Sequence, residues 1–153
     1  MPLRIENRQR VLKLDTSDIR RLVGLILEDH DSGGCDLTVV FARDGVVREL
    51  NSVYRDVDRA TDVLAFAMLD GEPPGAGGDP EELERVLGDV IISVDRAIDQ
   101  AQRYKITPER EILKLVAHGV LHLLGHDHPN PRERAKMRNL EGRYIRALSK
   151  NTQ

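Results

Sequence analysis

The stretch from Thr107 to His128 limits the possible folds more than any other part of this chain. From Ile112 to Gly125 it reads ILKLVAHGVLHLLG, apolar almost all round at helical spacing. A helix of that kind is stable only when packed on several sides, so the domain must be built around it. Thr107-Pro108 marks its start: the threonine hydroxyl caps a free amide, and proline at the first position gives up no hydrogen bond. Glu109 and Glu111 suit the positive end of its dipole. His118 and His122 are set into this apolar surface four residues apart, hence roughly 40° apart around the helix and one turn along it. A buried imidazole needs a partner for each ring nitrogen, and two side by side cannot both be protonated cheaply. One divalent cation shared by both rings meets that need.

Four of the five histidines fall between positions 118 and 128. Gly125 offers a left-handed end to the helix, after which the chain turns back and His128 supplies a third nitrogen. Pro129 and Pro131 prevent the helix from continuing. The pattern H-x-x-x-H-x-x-G-x-x-H has the ligand and glycine spacing of metzincin zinc sites. Three neutral imidazoles plus water complete a tetrahedron, so the expectation is one Zn2+ per chain on His118, His122 and His128. Nickel or copper would suit the same donors. A helix ending at Gly125 points His126 elsewhere, as a neighbouring polar group, and Asp127 reads as a turn or outer residue. Metzincin peptidases carry a glutamate base directly after the first histidine. Here that position is Gly119, so the peptidase mechanism is incomplete. The cation would still activate water, against an ester, an amide or a phosphodiester. Spacing leaves that choice open.

The rest of the chain fits one domain over residues 1–153, with no internal repeat and no linker dividing it. Leu3-Arg4-Ile5 alternates like an edge strand. Thr16 or Asp15 caps a helix running to about Asp29, with Ile19, Leu22, Val23, Ile26 and Leu27 inward and Asp31-Ser32-Gly33-Gly34 closing it. Asp36 to Ala42, Asp62 to Met68 and Leu87 to Ser93 read as strands. Asp44 opens a helix with Val46, Val47, Leu50 and Tyr54 at helical spacing. Another helix starts at Ser93 or Asp95. A last one, from Arg132 to Leu148, has Ala135, Leu140, Tyr144, Ile145 and Leu148 among its inward candidates. DGEPPGAGGD, Asp70 to Asp79, reads as a flexible loop. The sum is an α+β domain: a mixed sheet of about four strands packed with about five helices, zincin-like, with the metal-binding helix at its centre.

Composition narrows the function further. The net charge of −3 requires any nucleic-acid contact to come from a local basic patch. With three Tyr, two Phe and no Trp, the composition argues against an aromatic base-stacking RNA-recognition sheet. The single cysteine, Cys35, makes neither an internal disulfide nor a thiolate metal cluster, and no disulfide-linked partner is expected. No apolar run approaches the ~20 residues of a membrane span. The opening MPLRIENRQR holds no apolar signal segment, so a cytoplasmic location is expected.

HGVLHLLGHDH, together with Asn51-Ser-Val-Tyr-Arg55, Thr61-Asp-Val-Leu-Ala-Phe66 and Gly88-Asp-Val-Ile-Ile-Ser93, resembles the bacterial YbeY family in order and spacing over residues 36 to 148. The resemblance implies a single-domain, metal-dependent endoribonuclease of ribosomal RNA maturation and ribosome quality control. It implies zinc on His118, His122 and His128, and single-stranded RNA as substrate. The small ribosomal subunit or its assembly proteins would be partners. Arg55 matches the family's cleft arginine, whose planar fork would hold a phosphate. Arg59, beside Asp56 and Asp58, reads as a screened surface cation. Ala65 stands where the family usually has Ser or Thr. Two other readings remain open here: a ribosome-assembly factor with a structural metal, and a zincin-like peptidase or amidase.

Overall fold

Strand β2 (Asp36–Ala42), DLTVVFA, is an apolar run that buries both its faces, which places it inside a sheet rather than at its edge. It pairs in parallel with β1 (Leu3–Asn7) on one side and β4 (Val86–Ser93) on the other. β3 (Val63–Ala67) adds to β4 in the antiparallel sense, so the order is β1-β2-β4-β3. The computed structural model describes residues 3–67, 86–126 and 130–150, with side chains as far as Leu148. The segment Asp70 to Asp79, Asp127 and the third expected ligand His128 lie outside the described residues.

Successive residues of β2 point to opposite faces, and the two faces feed two cores. Leu37, Val39 and Phe41, with Val90 and Ile92 of β4, enter the larger one. Helices α1 (Thr16–Asp29), α3 (Val94–Tyr104), α4 (Pro108–Leu123) and α5 (Pro131–Lys150) pack there. Val40, Ala42 and Ile91, with Leu64 of β3, meet Val47 of α2 (Asp44–Arg55) on the opposite face. The described residues thus form one α+β domain with a four-stranded mixed sheet and five helices, as expected. Helix α4 is central, in contact with α1, α3, α5, β3 and β4.

Helix starts follow local chemistry. Asp15, Ser93 and Thr107 each accept a backbone N–H from the first turn of α1, α3 and α4. Helix ends fall where expected: within the Asp31-Ser32-Gly33-Gly34 segment Asp31 takes the left-handed conformation after α1, with φ 55°, and Gly125 has φ 100° after α4. Inward faces differ at two places. On α2, Val47 and Asn51 are buried and Tyr54 is 69 % exposed. Asn51 turns inward because its amide donates to the Arg59 carbonyl, tying down the loop that follows (2.9 Å). On α5 the buried stripe is Met137, Glu141, Tyr144, Ile145 and Leu148, and Ala135 is exposed. Ala135 sits two residues before Met137, about 200° away around the helix, so it cannot share that stripe.

Candidate metal centre

Helix α4 buries Ile112, Leu115, Val116, Val120 and Leu121, as its near-continuous apolar surface requires. At Gly119 it lies close against the sheet. A Cβ there would lie 2.5 Å from Val90 Cγ1 and 3.3 Å from Val63 Cγ2. Position 119 therefore faces β4 and β3, and a glutamate side chain has no room.

His118 and His122 stand as neighbours on α4, ring centroids 6.2 Å apart and planes inclined at 51°. His118 is half-buried and His122 exposed. His118 Nδ1 lies 3.0 Å from Glu141 Oε2 on α5, and His122 Nδ1 lies 3.1 Å from the His126 carbonyl oxygen. Both acceptors are oxygens, so in each neutral ring Nδ1 carries the proton and Nε2 the lone pair. Histidines that ligate metals are oriented in this way, by a carboxylate or a main-chain carbonyl on the other nitrogen. Glu141 raises the His118 pKa through its hydrogen bond and charge, with Asp62 adding to the effect and burial opposing it. Among the described residues, no three His, Cys, Asp or Glu side chains are arranged to hold a metal ion.

The His126 ring is engaged elsewhere: its Nε2 is 2.9 Å from Nε2 of His30, which follows α1, and the rings meet edge-on at 84°. Arg55, the last residue of α2, donates from Nη2 to the Ala65 carbonyl (2.5 Å), and its guanidinium lies 5.0 Å from the centre of the Phe66 ring. The contact is to main chain, so the alanine at 65 leaves it intact. It sets Arg55 on β3, the strand whose Val63 flanks Gly119. Asp58 pairs with Arg48 (2.8 Å), not with Arg59. Asp62 is a structural knot: its carboxylate accepts from Val63 N (2.8 Å) and Gln100 Nε2 (3.2 Å), joining β3 to α3.

Two residues of this arrangement escape a reading of the sequence. Glu141 had a signal, since a carboxylate at the fourth position after Met137, within an apolar stripe, needs a buried partner. His30 had none; it meets His126 across 96 residues of chain.

A mixed four-stranded sheet with an antiparallel edge strand, packed beside a buried helix that carries two histidines one turn apart, defines a single α+β domain. The chain belongs to the endoribonuclease YbeY family, whose sequence profile matches residues 4–149. It is 39 % identical over 153 residues to the Endoribonuclease YbeY of Pelotomaculum thermopropionicum, covering 97 % of this chain and 98 % of that one. It is 45 % identical over 127 residues to that of Heliobacterium modesticaldum, covering 81 % and 73 %. The solution structure of TM1509 from Thermotoga maritima shares the fold with a TM-score of 0.64 at 23 % identity, over 95 % of this chain and 88 % of that one. No helix among the described residues is long and apolar enough to cross a membrane.

Proposed function

We propose that this protein is a zinc-dependent, single-strand endoribonuclease of ribosomal RNA maturation and ribosome quality control, working in the cytoplasm beside the small ribosomal subunit. The observation that carries the reading is the paired orientation of His118 and His122, each with Nδ1 turned to an oxygen acceptor. That donor chemistry fits a divalent cation, and His128 is the third ligand we assign. When bound, zinc would supply Lewis acidity toward a phosphodiester and its attacking water.

The chain's own groups do the rest. Glu141 holds the His118 ring in register and would offset part of a bound cation's charge. The His126 carbonyl does the same for His122 without adding charge. Arg55, anchored to the Ala65 carbonyl and stacked on Phe66, presents a planar, exposed fork that binds a phosphate bidentately and stabilises charge developing on it. Family membership, with relatives carrying the name endoribonuclease, supports RNA as the substrate. The sheet packed against Gly119 speaks against the peptidase alternative, since the helix cannot carry the usual base there.

The test is cleavage of single-stranded RNA by purified protein with and without a chelator, and by His122→Ala. Loss of cleavage in both cases, restored by zinc only in the unsubstituted protein, is the expected result. Undiminished cleavage in either would assign the activity to something other than this site.

A further inference from the structure

We propose that His30 is a positioning residue for the metal centre, setting the His122 ring through His126. The inference rests on the reading that His118 and His122 hold a cation. Three hydrogen bonds run in series from the end of α1 to the metal helix. His30 Nδ1 lies 2.8 Å from the Ile26 carbonyl oxygen. A carbonyl only accepts, so Nδ1 carries the His30 proton and Nε2 becomes the acceptor. The His126 Nε2 facing it at 2.9 Å must then donate, which the edge-on ring geometry permits. The main-chain carbonyl of that same His126 accepts from His122 Nδ1 at 3.1 Å. Each link has one donor and one acceptor, and both ring tautomers follow from the first carbonyl.

The links differ in how firmly they are held. Ile26 and Leu27 are 0 % and 3 % exposed in the main core, so the Ile26 carbonyl belongs to a rigid helix. His30 is fastened to it again by its own backbone N–H, 3.2 Å from the same oxygen. His126, by contrast, has left the helix. Gly125 before it has φ 100°, and from there the His126 carbonyl is outside the α4 hydrogen-bond ladder. A backbone bond from His126 N to the Leu121 carbonyl (3.0 Å) holds one side of this turn, and the ring bond to His30 holds the other. The Tyr144 ring, 6.4 Å from that of His30, walls the pair, and its hydroxyl donates to Asp29. Removing His30 frees the turn to swing, and the oxygen that fixes the His122 tautomer and plane swings with it. A displaced ring presents Nε2 at the wrong angle, which for an outer partner of a metal ligand costs about tenfold or more in affinity.

Zinc affinity, measured by competition with a chromophoric chelator well below the thermal transition, tests this in the full chain. His30→Ala should weaken zinc binding about tenfold, and His126→Phe, which keeps ring and carbonyl but loses the donor, should weaken it equally. Their double substitution should be no worse than either, because both break one series of bonds. His30→Gln, whose amide oxygen stands near the place of Nε2, should recover part of the loss. In the metal-free protein the His122 Nδ1 proton should exchange faster in His30→Ala than in the unsubstituted chain. Unchanged zinc affinity in His30→Ala, or losses that add in the double substitution, would overturn the proposal. Should His30→Ala not fold, His126→Phe decides alone, and unaltered affinity there sinks it. An unsubstituted protein that takes up no zinc overturns the metal reading and this inference together. Zinc held equally by all variants overturns this inference alone.

Discussion

Gly119 sets how closely the histidine helix lies on the sheet. The glycine is there because α4 must come close to the sheet, and Val90 fills the space a side chain would need. Gly119→Ala should therefore destabilise the protein by about 1–3 kcal/mol, as overpacking of a dense core does. Val90→Ala in the same chain should return part of that loss, read by urea unfolding. If the alanine is harmless, the helix does not sit where the structure puts it. Glu111 makes a second case. It is 2 % exposed, with Lys114 Nζ 3.2 Å away. Burial pushes its pKa above the usual carboxylate range, Lys114 opposing and Asp62 and Glu141 adding to the rise. The native protein thus binds this proton more tightly than the unfolded chain, so stability falls as pH rises from about 4.3 through the raised folded value. Below that window the group is protonated in both states and contributes no further pH dependence. Glu111→Gln should accordingly stabilise the protein at neutral pH, with the gain vanishing near pH 4. Equal gains at both pH values would refute a titration origin.

Helices and their caps separate what local sequence dictates from what packing imposes. The starts of α1, α3 and α4 follow from Asp15, Ser93 and Thr107, whose side chains accept amides three residues on. The ends do not follow so simply. After α1, α2 and α3 the left-handed position is held by Asp31, Asp56 and Lys105, residues that pay for it in backbone strain. Lys105 is exposed with φ 58°, so Lys105→Gly should raise stability by about 0.5–1 kcal/mol, the relieved strain exceeding glycine's entropy cost. A thermal melt that moves the other way would show the lysine to have a compensating contact. On α5 the inward stripe admits Glu141 among Met137, Tyr144, Ile145 and Leu148. Hydrophobic periodicity finds such a stripe only approximately when one of its members is a carboxylate, which is why Ala135 looked inward and Glu141 did not.

Across the molecule, the candidate centre draws on several elements. His118 and His122 come from α4, Glu141 from α5, His30 from the end of α1, and Arg55 from the end of α2 resting on β3. A cation bound there ties these segments in the native state only, so it should stabilise by mass action. Zinc at a hundredfold excess over its dissociation constant should add about 2.7 kcal/mol, seen as a thermal midpoint several degrees higher and abolished by a chelator. A midpoint indifferent to zinc would mean that no site of that affinity forms.

The histidine pair, the buried helix beneath it and the order of strands and helices were readable from the sequence. Each depends on spacing within a few residues, where 3.6-residue and two-residue periods decide which side chains share a face. Only the tertiary structure decided which oxygen fixes each ring, why position 119 must be glycine, and that His30 meets His126. Those are contacts between segments far apart along the chain, set by how helices lie on a sheet, and no local period encodes them.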